Sequence, residues 1–211
     1  RKKQKKIAVS GDVRLSTPRL KQDFISGLIQ SGVDVIDIGV LPTPVNYFAN
    51  YNLPIDGSVQ ITGSHNPSNY NGFKFTFQKN SFFGEDIQKL YELIINNDYK
   101  VGKGSCSKYN IIDEYIDDIV RKINIDKKIK VIMDCGNAAG CIVGPQIFKK
   151  LNIDLEEIYC DIDGNFPNHH PDPTVDSNLE SIVLKIKEGD FDLGVAYDGD
   201  ADRVICIDSK G

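Results

Sequence analysis

Residues 6–38 read KIAVSGDVRLSTPRLKQDFISGLIQSGVDVIDI, and this stretch decides the fold class. Lys6 to Ser10 is a short apolar run of strand type. Ser16-Thr17-Pro18 follows, a helix N-cap residue with proline in the first turn. Leu20, Phe24, Leu28 and Ile29 then recur at helical spacing, and Gly32 closes the helix. Val33 to Ile38 alternates like a strand. Strand, helix and strand in a little over thirty residues predict a βαβ unit, and therefore layers of helix on a mainly parallel sheet.

The same rhythm continues outward. Pro42-Thr43-Pro44 opens a short helix carrying Val45, Tyr47 and Phe48. Ser58 to Thr62 and Phe73 to Phe77 read as strands around a polar loop, and a helix is expected over 85–97. Lys100 to Ser105, with Gly102 and Gly104, is the linker candidate. A helix over 111–122 leads to a strand over 129–134. Gly136-Asn137-Ala138-Ala139-Gly140 turns into a helix running to Leu151. A strand over 155–159, a long loop to Asp176, a helix over 179–188 and strands over 192–197 and 204–208 complete the pattern.

Composition narrows the class of function. The 211 residues are 40% hydrophobic and 26% charged, as in ordinary globular chains. No apolar run reaches membrane-spanning length, and no segment reads as a signal peptide. The basic start, Arg1 to Lys6, reads as a solvated end, and the net charge of −5 argues against a nucleic-acid binder. The five cysteines (106, 135, 141, 160, 206) contain no CxxC pair, which excludes a zinc ribbon or a redox dithiol by spacing. They read as small core residues of a cytoplasmic protein.

Two loops carry chemistry. Thr62-Gly63-Ser64-His65-Asn66-Pro67 leaves a strand for the polar loop, where ligands of α/β sheets bind. These six residues alone read first as a turn. A serine beside a histidine also suggests nucleophilic chemistry, although neighbours on extended chain point to opposite sides. Lys74 lies between Phe73 and Phe75, so alternation sets it on the opposite face: a solvated lysine, or an acid/base or phosphate partner of the serine loop. Asp198-Gly199-Asp200-Ala201-Asp202-Arg203 follows a buried strand. Three carboxylates at every second position are hard ligands suited to Mg²⁺, which prefers to keep places for water or phosphate oxygen. An EF-hand is excluded because Ser209 falls where its closing glutamate belongs. Arg203 suits a phosphate sharing the metal, or a salt bridge within the loop.

Taken together, these segments resemble the α-D-phosphohexomutase superfamily, in its phosphomannomutase/phosphoglucomutase branch. The resemblance rests on Thr62 to Pro67, on Asn71-Gly72-Phe73-Lys74, on Asn165-Phe166-Pro167-Asn168-His169-His170-Pro171-Asp172-Pro173 and on Asp198 to Arg203, in that family-like order. It implies an α/β fold of two consecutive three-layer α/β/α domains with mixed, mainly parallel sheets: a phosphoserine-loop domain over 1–104 and a metal-loop domain over 105–211. It further implies that the second domain is incomplete and that the sugar- and phosphate-binding third and fourth domains are absent, so that this piece alone turns over little.

By position, the resemblance makes Ser64 the phosphorylated nucleophile and Asp198, Asp200 and Asp202 ligands of Mg²⁺, with the Ser64 phosphate as a further ligand. Lys74 and Arg203 take acid/base and electrostatic roles, and Arg14 and His65 join the catalytic set. Asp12, Asn66, His169 and His170 support it. Implied with these are a hexose phosphate substrate, glucose 1,6-bisphosphate as activator, and phosphoryl transfer between C1 and C6 of glucose or mannose. Neither nucleic acid nor membrane is an expected partner, and the oligomeric state is left open. Gly63 stands where the family usually has alanine, and Ser10 to Arg14 lacks one basic residue of its counterpart. A magnesium-dependent sugar phosphatase, a non-catalytic binding module and, within the family, a phosphoglucosamine mutase are the competing readings.

Overall fold

The computed structural model describes residues 6–211, so the basic opening over 1–5 lies outside the described residues. The first unit contains β1 (Lys6–Gly11), α1 (Thr17–Gln30), β2 (Asp34–Val40), α2 (Thr43–Asn52), β3 (Gly57–Ile61), β4 (Phe73–Phe77), β5 (Asn80–Phe82), α3 (Glu85–Ile95) and β6 (Cys106–Lys108). The second contains α4 (Ile112–Lys122), β7 (Lys130–Asp134), α5 (Gly144–Lys150), β8 (Asp154–Ile158), α6 (Glu180–Glu188), β9 (Leu193–Tyr197) and β10 (Val204–Asp208).

The first sheet runs β5-β4-β3-β1-β2-β6 and the second β10-β9-β7-β8. Strands β1, β2, β3 and β6 are parallel, and β4 and β5 turn back antiparallel. In the second sheet β7 is parallel to β8 and β9, and β10 is antiparallel. Both sheets are thus mixed and mainly parallel, as expected. In each, a central strand (β1 or β7) has the next two strands of the chain on its opposite sides. Ligand crevices open at the carboxyl ends of strands at such a reversal. The serine loop follows β3, and the three-aspartate loop follows β9.

Apolar packing explains how the two loops meet. On one face of the first sheet Ile7, Val9, Val35, Val59 and Ile61 pack against Leu20, Phe24 and Leu28 of α1. On the other, Ala8, Ile36, Ile38, Val45 and Ala49 form one cluster with Ile116 of α4 and Val143 and Ile147 of the second unit. Each valine, leucine or isoleucine among them contributes about 1.5–3 kcal/mol when fully buried. This shared core fixes one unit against the other.

Several expectations are corrected. The boundary after Gly104 moves past Lys108, because Cys106–Lys108 pairs with Val35–Asp37 as the edge strand of the first sheet. The glycine segment before it is tied down, not a free linker: the Gly102 and Gly104 N–H groups donate to Gln30 O and Ile29 O at 2.8 and 2.9 Å. Ser16 makes no side-chain cap; its hydroxyl instead accepts a hydrogen bond from Asn71 Nδ2 at 2.9 Å. The helix expected to run from Gly140 to Leu151 is broken into a 3₁₀ turn, Ala139–Ile142, and α5. Of the cysteines expected in the core only Cys135 is buried; Cys141 and Cys160 are half-buried, and Cys106 and Cys206 are exposed.

Candidate active site

Arg14 and Asp12 build the floor of the serine loop. Both are buried, at 1% and 2% exposure. The Asp12 carboxylate accepts from the Arg14 backbone N–H and Nε, from the hydroxyls of Thr17 and Thr62 and from the Gly63 N–H. The remaining guanidinium hydrogens go to backbone carbonyls: Nη1 to Pro67 O and Tyr70 O at 2.6 and 3.1 Å, Nη2 to Ser64 O and Asn66 O at 2.6 and 2.8 Å. Every N–H of Arg14 therefore has a partner within the protein. It shapes the serine loop from beneath, with its hydrogens taken up by Asp12 and the loop carbonyls. Gly63 is adapted to this arrangement, since a Cβ there would lie 2.5 Å from Arg14 Cζ.

The loop so held presents Ser64 with φ of +50°, a left-handed conformation uncommon for a non-glycine residue. Such strain persists where surroundings over-determine it. The hydroxyl donates to Asp198 Oδ2 at 3.0 Å and accepts from Arg203 Nη2. Arg203 also pairs with Asp198 at 2.8 Å. Asn66 Nδ2 donates to Gly63 O at 2.9 Å and stabilises the turn.

The aspartate loop curls around Asp198, whose Oδ1 accepts from the backbone N–H of Asp202 and Arg203. Ala201 takes φ of +55° to complete the curl. Gly199 is required by close approach, because a Cβ there would lie 2.2 Å from Ser64 O. One oxygen from each of Asp198, Asp200 and Asp202 lies within 4.8 Å of the others. Lys74 reaches across from β4, its Nζ donating to Asp200 Oδ2 at 2.6 Å and Asp202 Oδ2 at 2.7 Å. Phe73 and Phe75 turn the other way, onto Phe24. The Thr43 hydroxyl also donates to Asp200 Oδ2. Asp200 Oδ1 remains buried without a partner, the one such side-chain atom among the described residues. An orphaned buried carboxylate oxygen beside two further carboxylates fits a hard divalent cation.

The electrostatics follow from burial and pairing. Burial, with repulsion from Asp200 and Asp202, raises Asp198 to about 6 against the pull of Arg203. Burial also opposes the charge of Asp200, but Lys74 and Thr43 outweigh it and lower its pKa. Burial works against the charge of Lys74, and the two aspartates reverse this, so that its pKa is raised.

The segment 165–173 braces the serine loop from the second unit. His65 Nδ1 meets Asp172 Oδ2 at 2.7 Å, and His170 Nε2 bonds to His65 O. Burial opposes ionisation of Asp172, but Thr174 and His65 outweigh it and bring its pKa to about 2. Phe166 lies under Arg14, 5.3 Å from Cζ to the ring centroid. His169 Nε2 meets buried Asp134 at 2.9 Å, and its Nδ1 meets His170 O at 2.9 Å. A carbonyl only accepts, so Nδ1 carries a proton. Burial disfavours the imidazolium, yet the bonds to Asp134 and His170 O raise its pKa above the usual 6.5.

This pair contributes stability that is fully present below the unfolded-state pKa and is lost as pH rises through the raised folded value. Replacing His169 by glutamine is expected to lower the melting temperature most at about pH 6 and progressively less toward about pH 9. Paired thermal melts across that range check the sign; a difference that widens with pH would contradict the ion pair.

Thr43, Asp172, Asp134 and Phe166 were not singled out by sequence reasoning. Thr43 carried a signal, a hydroxyl residue between two prolines at a helix start. Asp172 and Phe166 both lie within the 165–173 segment that carries the family resemblance.

Comparison with known proteins accords with this geometry. The phosphoglucomutase/phosphomannomutase α/β/α domain I matches residues 1–101, and domain II of the same family matches residues 113–211. The chain belongs to the phosphoglucomutase/phosphomannomutase family of α-D-phosphohexomutases. It is 42% identical over 205 residues to a phosphomannomutase/phosphoglucomutase of Pseudomonas putida, covering 97% of this chain and 44% of that protein. It is 38% identical over 208 residues to a phosphoglucomutase of Neisseria gonorrhoeae, with 98% and 45% covered. A crystal structure of a family protein from Burkholderia thailandensis superposes with a TM-score of 0.95 at 39% identity, over 98% of this chain and 47% of that one. The chain thus spans less than half the length of these relatives.

Proposed function

We propose that this chain carries the phosphoserine and metal loops of a phosphohexose mutase, which moves a phosphoryl group between C1 and C6 of glucose or mannose phosphate through a bisphosphorylated sugar. The supporting observation is that Ser64 Oγ lies between Asp198 and Arg203, beside the unsatisfied oxygen of Asp200 and with Lys74 across the cleft. Phosphoryl transfer depends on positioning and charge neutralisation more than on covalent assistance.

Asp198, Asp200 and Asp202 would hold Mg²⁺, which supplies Lewis-acid neutralisation of phosphoryl oxygens when bound. Arg203 already donates to Ser64 Oγ, and its fork matches a phosphate there. The Ser64 hydroxyl hydrogen points at Asp198, so the proton that leaves on phosphorylation has an acceptor in place. While Asp200 and Asp202 hold Lys74 it stays charged and serves as a proton donor and phosphate partner. Its place across the cleft from Ser64 makes it the candidate to exchange a proton with the sugar hydroxyl. Asp172 fixes Nδ1 of His65 and so orients its ring. Glucose 1,6-bisphosphate is the reagent that would load Ser64.

Incubating the chain with Mg²⁺ and glucose 1,6-bisphosphate, and assaying sugar monophosphate and inorganic phosphate separately, tests the reaction class. Transfer that stops at one phosphoryl group per chain is expected. Sustained release of inorganic phosphate would indicate a phosphatase and overturn the reading.

A further inference from the structure

The cysteines lack a CxxC spacing, yet the fold gathers three of them. Cys135 follows β7, Cys160 follows β8, and Cys141 lies in the 3₁₀ turn Ala139–Ile142. Strands β7 and β8 pair through Asp134 and Ile158, and the Cys135 N–H donates to Ile158 O at 3.4 Å. Strict alternation would then place Tyr159, not Cys160, on the Cys135 side of the sheet. Tyr159 adopts φ of +52°, which breaks the alternation. Its ring joins the cluster of Ile132 and Ile158, and Cys160 joins Val131, Met133 and Cys135 on the other side. Cys141 Sγ lies 3.7 Å from Tyr159 O, and Cys160 Sγ lies 3.3 Å from Ile158 O. Cys141 and Cys160, both half-buried, thus pack against the same buried cluster that contains Cys135.

The turn bearing Cys141 also supports the aspartate loop. The Ala139 N–H donates to Gly199 O at 3.2 Å. A Cβ on Gly140 would lie 3.5 Å from Cys135 Sγ and 3.6 Å from Ala201 Cβ. The turn bearing Cys141 therefore lies against residues 198–203.

We propose that this cluster is an oxidative modification site in which a hydroperoxide drives an intramolecular disulfide between Cys135 and one of its two thiol neighbours. Attack of Cys141 or Cys160 on the peroxide breaks the O–O bond, giving a sulfenic acid and releasing alcohol, or water from hydrogen peroxide. Cys135 sulfur then attacks the sulfenic sulfur; the S–S bond forms, the S–O bond breaks, and the hydroxyl leaves as water with the Cys135 proton. Two thiols lose two electrons, and the peroxide gains them. The neighbouring thiols and burial push the Cys135 thiol well above its ordinary value, so the first attack falls to Cys141 or Cys160, and Cys135 resolves by its position in the same cluster. Closing the bond to about 2.05 Å moves either Cys141 within the turn or Cys135, which lies beside Gly140 of that turn, and so loosens the turn's hold on Gly199.

The test uses the chain with Cys106→Ser and Cys206→Ser, which keeps the three clustered thiols. After hydrogen peroxide, peptide mapping is expected to show a disulfide containing Cys135, reversed by dithiothreitol, with faster amide exchange over 198–203 in the oxidised form. With Cys135→Ala added, dimedone should trap a sulfenic acid at Cys141 or Cys160. Three free thiols after peroxide, or a disulfide joining Cys141 to Cys160, would overturn the site. Unchanged exchange over 198–203 in the disulfide form would overturn the coupling.

Discussion

Replacing Arg14 by alanine is expected to destabilise the chain by about 3–5 kcal/mol, because it strands the buried Asp12 carboxylate and removes the donors of four loop carbonyls. For a chain of this size that is a fall in melting temperature on the order of 10 °C. Arg14→Lys keeps a charge for Asp12 but not the fork, so it should recover only part of the loss. Chemical denaturation of the three proteins measures this. An alanine variant within about 1 kcal/mol of the parent would contradict the floor assigned to Arg14 and Asp12.

Asp200→Asn carries the largest expected effect on metal affinity. It removes the negative charge at the only buried side-chain oxygen without a partner among the described residues, in a cluster whose other two members are already paired with Arg203 and Lys74. Mg²⁺ affinity, read by calorimetric titration, should fall by about a hundredfold or more. Retained affinity would show that the aspartate loop is not the metal site. Asn is close in shape, so the fold, read by circular dichroism, should persist.

Much of this architecture is legible along the chain because it rests on local periodicity. Phe24 and Leu28 mark the buried face of α1, and the alternation of Phe73, Lys74 and Phe75 sends the lysine toward the cleft. What escapes is short or non-local. The β4–β5 hairpin turns through Gln78 and Lys79, both left-handed at φ of +47° and +65°, where neither residue offers the usual glycine or asparagine signal. Strand β6 has three exposed residues and exists only through its hydrogen bonds to β2. Arg14 reads as one more cation near a phosphate site; only the fold shows that the backbone carbonyls of a loop some fifty residues away take up its hydrogens. Spacing excludes a dithiol motif, yet the left-handed turn at Tyr159 brings Cys160 beside Cys135.

The central claim is that Ser64 accepts the phosphoryl group. Intact mass and peptide mapping of the chain before and after Mg²⁺ and glucose 1,6-bisphosphate test it most directly. The account expects one added phosphate, mapped to Ser64, dependent on Mg²⁺ and absent from Ser64→Ala. Phosphate mapped to another residue, or gained equally by Ser64→Ala, would contradict it.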